Sequence, residues 1–214
     1  IAAAAMMQAI VASGGSAHER IITAEMHSGQ QQGFVQGPVD NLYLNALFAG
    51  YFRGLGGTWD VAAADVGGMK RARNLGQRLG ANVLLAEKQK AGAEKVGVTV
   101  YGELASRRVI VPDDLSDTGK TLCMVAKALR EKGAEEVYAC ATHALFTVKE
   151  GVRAEQRLQE AGVKVVVTDT VPMSREYQGA NAGWLTVLSV APLFAEAVYL
   201  REIGGSLSAL FDGG

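Results

Sequence analysis

The sequence predicts an α/β protein with a mostly parallel sheet flanked by helices, and three observations support that prediction. Short β-branched runs alternate along the chain with segments of helical period. Glycines separate many of these segments, and several of the runs end at an acidic or histidine side chain. Strands that alternate with helices connect through right-handed crossovers, which favours parallel strands with helices on both faces of the sheet.

The predicted elements follow from those patterns in chain order. Helices are predicted where apolar residues recur at helical spacing: 2–12, 43–55, 67–79, from about 119, 148–161 and 192–201. Strands are predicted where apolar residues run together: 20–26, 59–64, 82–86, 96–101, 109–111, 136–141, 163–168 and 184–190. Paired glycines mark helix ends, as at Gly14–Gly15 and Gly56–Gly57.

Three connections carry their own expectations. The Gly/Gln-rich segment 29–39, which runs through Pro38, is interpreted as a hinge between domains. Segment 87–95 is polar without an apolar anchor, so we expect a mobile loop there. The weakly alternating segment 96–101 is expected to form a hairpin with the strand at Val109.

Composition restricts the kinds of partner. The 214 residues are 49% hydrophobic with 26 glycines, which is ordinary for a globular α/β protein. A net charge of −1 offers no basic surface, so we expect no nucleic acid partner. No apolar run reaches the ~20 residues that cross a bilayer, so no membrane partner is expected. Cys123 and Cys140 lack metal-site spacing and are expected to be free thiols in a cytoplasmic protein.

The stretch around residues 107–130 organises the chain. The β-branched run 109–111 predicts a buried strand that stops at Pro112, because proline cannot donate to a ladder. Asp113 and Asp114 follow at once. A helix is predicted to begin near Gly119, with an apolar stripe of Leu122, Val125, Ala126 and Leu129.

The sequence SDTGKT at 116–121, the central loop, joins this strand to this helix. Its backbone N–H groups at a helix N-terminus attract anions, and Gly119 permits close approach. Further donors come from the side chains of Ser116, Thr118, Lys120 and Thr121. Two carboxylates beside a phosphate would repel it unless they held a metal ion or sugar hydroxyls, so a sugar phosphate with a divalent metal is predicted. The alternative is an ordinary turn capped by Asp117.

The stretch VPDDLSDTGKT resembles the phosphoribosyl diphosphate (PRPP) motif of the type I phosphoribosyltransferase fold. Other segments resemble the ribose-phosphate diphosphokinase (PRPP synthetase) family, in family order and with family spacing. They are ITAEMHSGQQQGFVQGPVDNLY at 22–43, DVGGMKRAR at 65–73, EKQK at 87–90, YACATHALF at 138–146 and LSVAPLFAEAVYLREIGGSLSALFD at 188–212. The resemblance therefore covers nearly the whole chain.

That resemblance implies an enzyme of nucleotide biosynthesis that makes PRPP and AMP from ATP and ribose 5-phosphate with Mg²⁺. It implies a homo-oligomer, because family members bind ATP across subunits. Ribose 5-phosphate would be bound by Asp113, Asp114, Asp117, Thr118, Gly119, Lys120 and Thr121. ATP and its diphosphate would be bound by His27, Gly67, Gly68 and Arg71, the metal by His27 and Asp65, and the catalytic residues would be Lys88 and Lys90.

The residues themselves leave alternatives open. The glycine loop after Asp65 allows close approach of an anion, and Arg71 offers it a fork of donors, but a plain turn explains the pattern equally well. His27 fits a strand-end histidine satisfied by its neighbours, and Lys88 and Lys90 fit solvated side chains. Lys90 stands where the family commonly has Arg, which would weaken transition-state stabilisation.

The resemblance also predicts the domain organisation. Residues 1–40 would be a remnant of an N-terminal phosphoribosyltransferase-like domain, since the chain begins inside that domain of the family. Residues 41–192 would form the C-terminal domain with the PRPP loop, and 193–214 a helical segment that packs back on the N-terminal domain. Two other functions stay open: a phosphoribosyltransferase that consumes PRPP, and a non-catalytic regulatory homologue of PRPP synthetase.

Overall fold

The computed structural model describes residues 2–13, 20–35, 37–91, 95–208 and 210. The chain forms two compact units. The smaller unit comprises Ile1–Leu44 and Val190–Gly214, and the larger unit comprises Asn45–Ser189. These divisions lie near those predicted after residues 40 and 192, while the assignment of each piece to a family domain stays a prediction.

The helices are α1 Ala2–Ser13, α2 Asn45–Gly54, α3 Met69–Leu79, α4 Lys120–Glu131, α5 Ala154–Glu160, α6 Arg175–Asn181 and α7 Ala191–Glu202. The strands are β1 Ile21–Ala24, β2 Val39–Leu42, β3 Asp60–Ala63, β4 Asn82–Ala91, β5 Lys95–Tyr101, β6 Arg108–Ser116, β7 Glu136–Ala144, β8 Val148–Lys149, β9 Val152–Arg153, β10 Lys164–Thr168 and β11 Leu185–Leu188. A 3₁₀ helix spans Gly29–Phe34.

The larger unit is built on a sheet of strand order β11-β10-β7-β6-β3-β4-β5. Every neighbouring pair is parallel except β4–β5, which is antiparallel. The central strands are buried almost without interruption, as expected for a parallel sheet covered on both faces. The predicted fold class is therefore confirmed.

Helix α4 attaches the central loop to this sheet. Its stripe of Leu122, Val125, Ala126 and Leu129 is buried, as the helical period predicts. These side chains belong to one hydrophobic cluster with Val109 and other sheet residues. Burying a Val or Leu side chain stabilises a fold by roughly 1.5–3 kcal/mol, so the stripe holds the start of α4 firmly against the sheet.

The smaller unit contains the segment that the sequence assigned to a hinge. Strand β2 pairs in parallel with β1, and Leu42 packs in a cluster with Ala197 and Leu207. The hinge prediction for 29–39 is wrong, because a 3₁₀ helix and the start of β2 occupy that segment inside one compact unit.

Segment 87–95 is the clearest departure in the larger unit. Strand β4 continues past Ala86 to Ala91 and pairs antiparallel with β5, from Leu85 opposite Tyr101 to Ala91 opposite Lys95. The loop predicted for 87–95 is therefore wrong over 87–91, and β5 pairs with β4 instead of the strand at Val109. The backbone pairing between β4 and β5 holds this polar segment in place, although apolar side chains do not anchor it.

Two further predictions are corrected. The predicted helix 148–161 begins only at Ala154, because β8 and β9 form a short antiparallel hairpin ahead of α5. Strand β6 does not stop at Pro112 but continues to Ser116. Beyond Ile110, β6 pairs with β7 and no longer with β3, so a residue without an N–H group is accommodated there.

Some predictions fall on parts of the chain outside the described residues. They are the glycine stop at Gly14–Gly15 and the side chain of Lys90. Cys123 and Cys140 are not joined in a disulfide, as predicted.

Candidate functional site

The polar residues of the larger unit gather where its parallel strands end. Strands β3, β6, β7 and β10 run in the same direction, so their carboxyl ends share one edge of the sheet. Asp65 follows β3, and Asp113 and Asp114, the acid pair, lie near the end of β6. Ligands of open α/β sheets bind at this edge.

The central loop has the geometry of an anion site. Gly119 is the N-cap of α4, with φ 73° and ψ −9°, and no side chain caps the helix. A Cβ at this position would lie 3.1 Å from Leu158 Cγ and 3.5 Å from the Ala154 carbonyl oxygen. Glycine is therefore required both by the left-handed backbone and by α5 packing close behind the loop.

The alternative in which Asp117 caps this helix is wrong. The Asp117 carboxylate instead accepts a hydrogen bond from the Thr147 hydroxyl, and its carbonyl accepts one from the Thr147 N–H at 3.1 Å. With no capping side chain, the first-turn N–H groups of α4 keep the positive end of the helix dipole.

Arg71 connects α3 to the acid pair. Its Nη1 lies 3.6 Å from Asp113 Oδ1, and its Nη2 lies 3.5 Å from Asp114 Oδ1. The side chains of Arg71 and Asp113 are 24% and 33% exposed, whereas that of Asp114 is 10% exposed. Helix α3, which follows the glycine loop after Asp65, and the acid pair were predicted separately and meet at one place.

The two carboxylates of the acid pair affect each other's ionisation. Burial, a hydrogen bond with Asp114 and the neighbouring Asp114 charge together raise the pKa of Asp113 to about 7, although Arg71 and the Asp114 N–H oppose the rise. The Asp114 N–H donates to Asp113 Oδ1 at 2.9 Å. The contacts of Arg71 at 3.5–3.6 Å do not offset the effect of burial and of the Asp114 charge on Asp113, so the pair is suited to receive hydroxyl donors or a cation.

The glycine loop after β3 is held by Asp65. The Gly68 N–H donates to Asp65 Oδ1 at 2.8 Å, and a Cβ on Gly67 would approach the same oxygen to 3.2 Å. This contact is the one expected of a plain turn, which is the alternative that the sequence left open for this loop. It leaves the predicted roles of Asp65, Gly67 and Gly68 toward diphosphate and metal as predictions.

Lys88 reaches the central loop from the β4–β5 hairpin. Its Nζ donates to Thr121 Oγ1 at 2.7 Å. Lys90 lies two residues further along β4, where its backbone is opposite Val96. The hairpin therefore delivers at least one of the two predicted lysines to the loop.

The sequence did not identify three residues that surround the central loop. Both carboxylate oxygens of Glu150 lie 2.5 Å from Lys120 Nζ. Thr147 binds Asp117, and Arg157 Nη1 donates to the Thr118 carbonyl at 3.2 Å. The one local signal was Glu150–Gly151 between two valines, a weak hairpin pattern that the helix prediction covered.

His27 lies in the smaller unit, beyond the end of β1, and is exposed. The turn before it is fixed by hydrogen bonds: the Met26 N–H donates to Asn41 Oδ1 at 2.9 Å, and the Leu44 N–H donates to Glu25 Oε1 at 3.3 Å. His27 is thus not among the residues that the larger unit brings together, and its predicted metal and ATP contacts stay predictions.

The residues present suit a magnesium ion held largely by substrate. Across the described ranges, no three His, Cys, Asp or Glu side chains converge as a metal-binding group. Mg²⁺ typically uses one or two carboxylates together with substrate phosphates, and the acid pair supplies such ligands.

Among the helices of the described residues, none is both long and apolar enough to span a bilayer.

Comparisons with known proteins show the family to which the chain belongs. Residues 71–212 match the family described as phosphoribosyl synthetase-associated domain. The chain is 38% identical over 196 residues to ribose-phosphate pyrophosphokinases of Helicobacter pylori and Caldanaerobacter subterraneus, covering 90% of this chain and 59% and 60% of theirs. A crystal structure of phosphoribosylpyrophosphate synthetase from Mycobacterium smegmatis matches with a TM-score of 0.78 and 30% identity, over 95% of this chain and 64% of that one. The chain thus spans about three-fifths of the curated relatives it matches.

Proposed function

The chain belongs to the phosphoribosyl synthetase-associated family, and we propose that it catalyses diphosphoryl transfer from ATP to ribose 5-phosphate, giving PRPP and AMP. The observation that carries this proposal is the convergence of three separate segments in the larger unit. Lys88 contacts Thr121 of the central loop, and Arg71 contacts the acid pair beside it. Lysine, acids and anion-binding loop are the groups that this transfer requires.

The central loop would bind the 5-phosphate. Gly119 and the uncapped start of α4 supply backbone donors, and Thr118, Lys120 and Thr121 supply side-chain donors. Asp117, fixed by Thr147, would hold the loop in shape around that phosphate. The acid pair would accept hydrogen bonds from the ribose hydroxyls, which places O1 of the sugar toward the diphosphate.

The transfer itself needs alignment and charge stabilisation. The O1 oxygen attacks the β-phosphorus of ATP, the bond from that phosphorus to the oxygen of the α-phosphate breaks, AMP leaves, and the O1 proton passes to solvent. Lys88 and Lys90 would stabilise the negative charge on the transferring group. Gly67, Gly68 and Arg71 would bind the ATP diphosphate.

Magnesium, held by Asp65 or by the acid pair of the larger unit, would supply charge neutralisation of the ATP phosphates. His27 of the smaller unit would contact magnesium or the ATP phosphates. A homo-oligomer that binds ATP across subunits and a cytoplasmic location belong to the same proposal. They follow from the family resemblance stated above.

The test is an assay of the full chain with ATP, Mg²⁺ and ribose 5-phosphate, with AMP and PRPP both quantified. We expect AMP and PRPP to form in equal amounts and only when ribose 5-phosphate is present. The absence of AMP under these conditions would contradict the proposal. Consumption of PRPP with a nucleobase would indicate a phosphoribosyltransferase, and an effect only on the turnover of an active relative would indicate a regulatory homologue.

A further inference from the structure

The β8–β9 hairpin presents a carboxylate to the central loop. Glu150 and Gly151 form its turn, and both have positive φ angles, 57° and 73°. Such a two-residue turn matches the twist of a tight antiparallel hairpin, but the left-handed conformation is costly for a residue with a Cβ. Glu150 therefore occupies a position where glycine or asparagine would be less strained.

The hairpin is fixed beside the loop on two sides. Before β8, Thr147 binds both the carboxylate and the carbonyl of Asp117. From α5, the Arg157 guanidinium donates to the carbonyls of Lys149 and Thr118, and thereby joins the hairpin to the loop directly. These contacts set where the turn lies.

Glu150 holds the cation of the loop. Both of its carboxylate oxygens lie 2.5 Å from Lys120 Nζ, and Lys120 is the first residue of α4. The hydrogen bond and charge of Lys120 hold the pKa of Glu150 below its ordinary value, so the carboxylate is ionised at neutral pH. The two side chains are 38% and 66% exposed, which leaves the pair open to exchange with an anion from solution.

We propose that Glu150 competes with the 5-phosphate of the substrate for Lys120 and so sets the affinity and selectivity of the central loop. This inference rests on the proposed function, since it names a determinant of the same sugar-phosphate site. A phosphate monoester carries about −1.5 to −2 charges at pH 7, against −1 for the carboxylate, so it displaces Glu150 where a neutral 5-hydroxyl does not. The ion pair therefore lowers the affinity for 5-phosphorylated sugars and leaves that for free sugars unchanged, so it narrows the preference between the two.

The experiment is a double-mutant cycle of E150Q and K120M, read out by calorimetric titration with ribose 5-phosphate and, separately, with inorganic phosphate. We expect E150Q to tighten binding of both ligands about two- to fivefold, the range of an exposed ion pair. K120M should weaken binding, and E150Q in the K120M background should change nothing further. E131Q removes an equally exposed carboxylate, paired with Lys127 at the far end of α4, and should leave both affinities unchanged.

Each outcome decides a separate point. Unchanged or weaker binding by E150Q, or the same gain in the K120M background, overturns the inference even if wild type binds ribose 5-phosphate and turns it over. If wild type does not bind ribose 5-phosphate, the proposed function fails, whereas the E150Q gain for inorganic phosphate tests the competition independently. E150N is a second variant that removes the charge and suits the left-handed turn, so a gain shared by both variants excludes a folding artefact.

Discussion

The acid pair and the central loop are adjacent in sequence but differ in how their charge is balanced. The acid pair is half-buried, and the Arg71 guanidinium at 3.5–3.6 Å does not offset the effect of burial and of the Asp114 charge on Asp113. The loop is more exposed, and its Lys120 is fully engaged by Glu150 at 2.5 Å. The pKa of Asp113 in the acid pair is raised, whereas the pKa of Glu150, which pairs with Lys120 of the loop, is lowered. Burial, more than the number of neighbouring charges, explains the difference.

Lys88 stands apart from both arrangements, and removing it should produce the largest effect. Its described contact is the neutral hydroxyl of Thr121, so its charge is directed at neither the acid pair nor Glu150. We expect Lys88→Ala to lower kcat by roughly 10²–10³-fold, the effect of losing one donor to a charged transition state. Steady-state assays of AMP formation measure this.

Two controls accompany that variant. Lys127→Ala removes an exposed lysine of α4 and should leave kcat unchanged. The melting temperature of Lys88→Ala should stay close to that of wild type. Unaltered turnover in Lys88→Ala would show that Lys88 plays no part in the chemistry.

The sequence predicted those features of the acid pair and the central loop that depend on residues close together in the chain. The apolar stripe of α4 and the glycine at position 119 predicted where the central loop ends and the helix begins. The adjacent residues Asp113 and Asp114 predicted the acid pair. The family resemblance added Lys88, and the structure brings its side chain to Thr121.

The parts it missed depend on contacts between distant positions. Lys88 meets Thr121, and Lys120 meets Glu150, across about 30 residues each, and only the strand order decides which hairpin reaches the loop. The polar side chains of 87–95 predicted a loop. Strand β4 continues into this segment because its backbone pairs with β5, and side-chain polarity carries no information about that pairing. A helical period at 148–161 likewise concealed a turn that depends on two positive φ angles.

An intermediate effect is expected in the pH dependence of ligand binding. The hydroxyls of ribose bind a carboxylate more strongly than a protonated acid, and Asp113, with a pKa of about 7, protonates as the pH falls below 7. The affinity for ribose 5-phosphate should therefore decrease on acidification by up to about tenfold per pH unit.

The substrate phosphate also titrates, near pH 6, so the comparison must be made with Asp113→Asn. This variant should bind more weakly at pH 8 and show the shallower pH slope of the phosphate alone. Calorimetric titrations from pH 6 to pH 8 measure both slopes. Parallel slopes in the two proteins would place Asp113 outside the sugar site.

The smallest expected effect is on stability. Removal of the Asp113 charge should stabilise the fold at neutral pH, although it weakens substrate binding. The pKa of Asp113 is raised in the folded state from 3.8 to about 7, so the unfolded chain releases this proton at lower pH than the folded protein does. Below pH 4 both states are protonated and the group has no effect on stability. Between pH 4 and pH 7 the free energy of unfolding falls as the pH rises, and above pH 7 the full destabilisation is present.

Asp113→Asn retains an acceptor for the Asp114 N–H but removes the charge, so its melting temperature should equal that of wild type at pH 4 and exceed it by a few degrees at pH 8. Thermal denaturation across this range measures the difference, and a variant that is less stable than wild type at pH 8 would show that Arg71 compensates the acid pair after all.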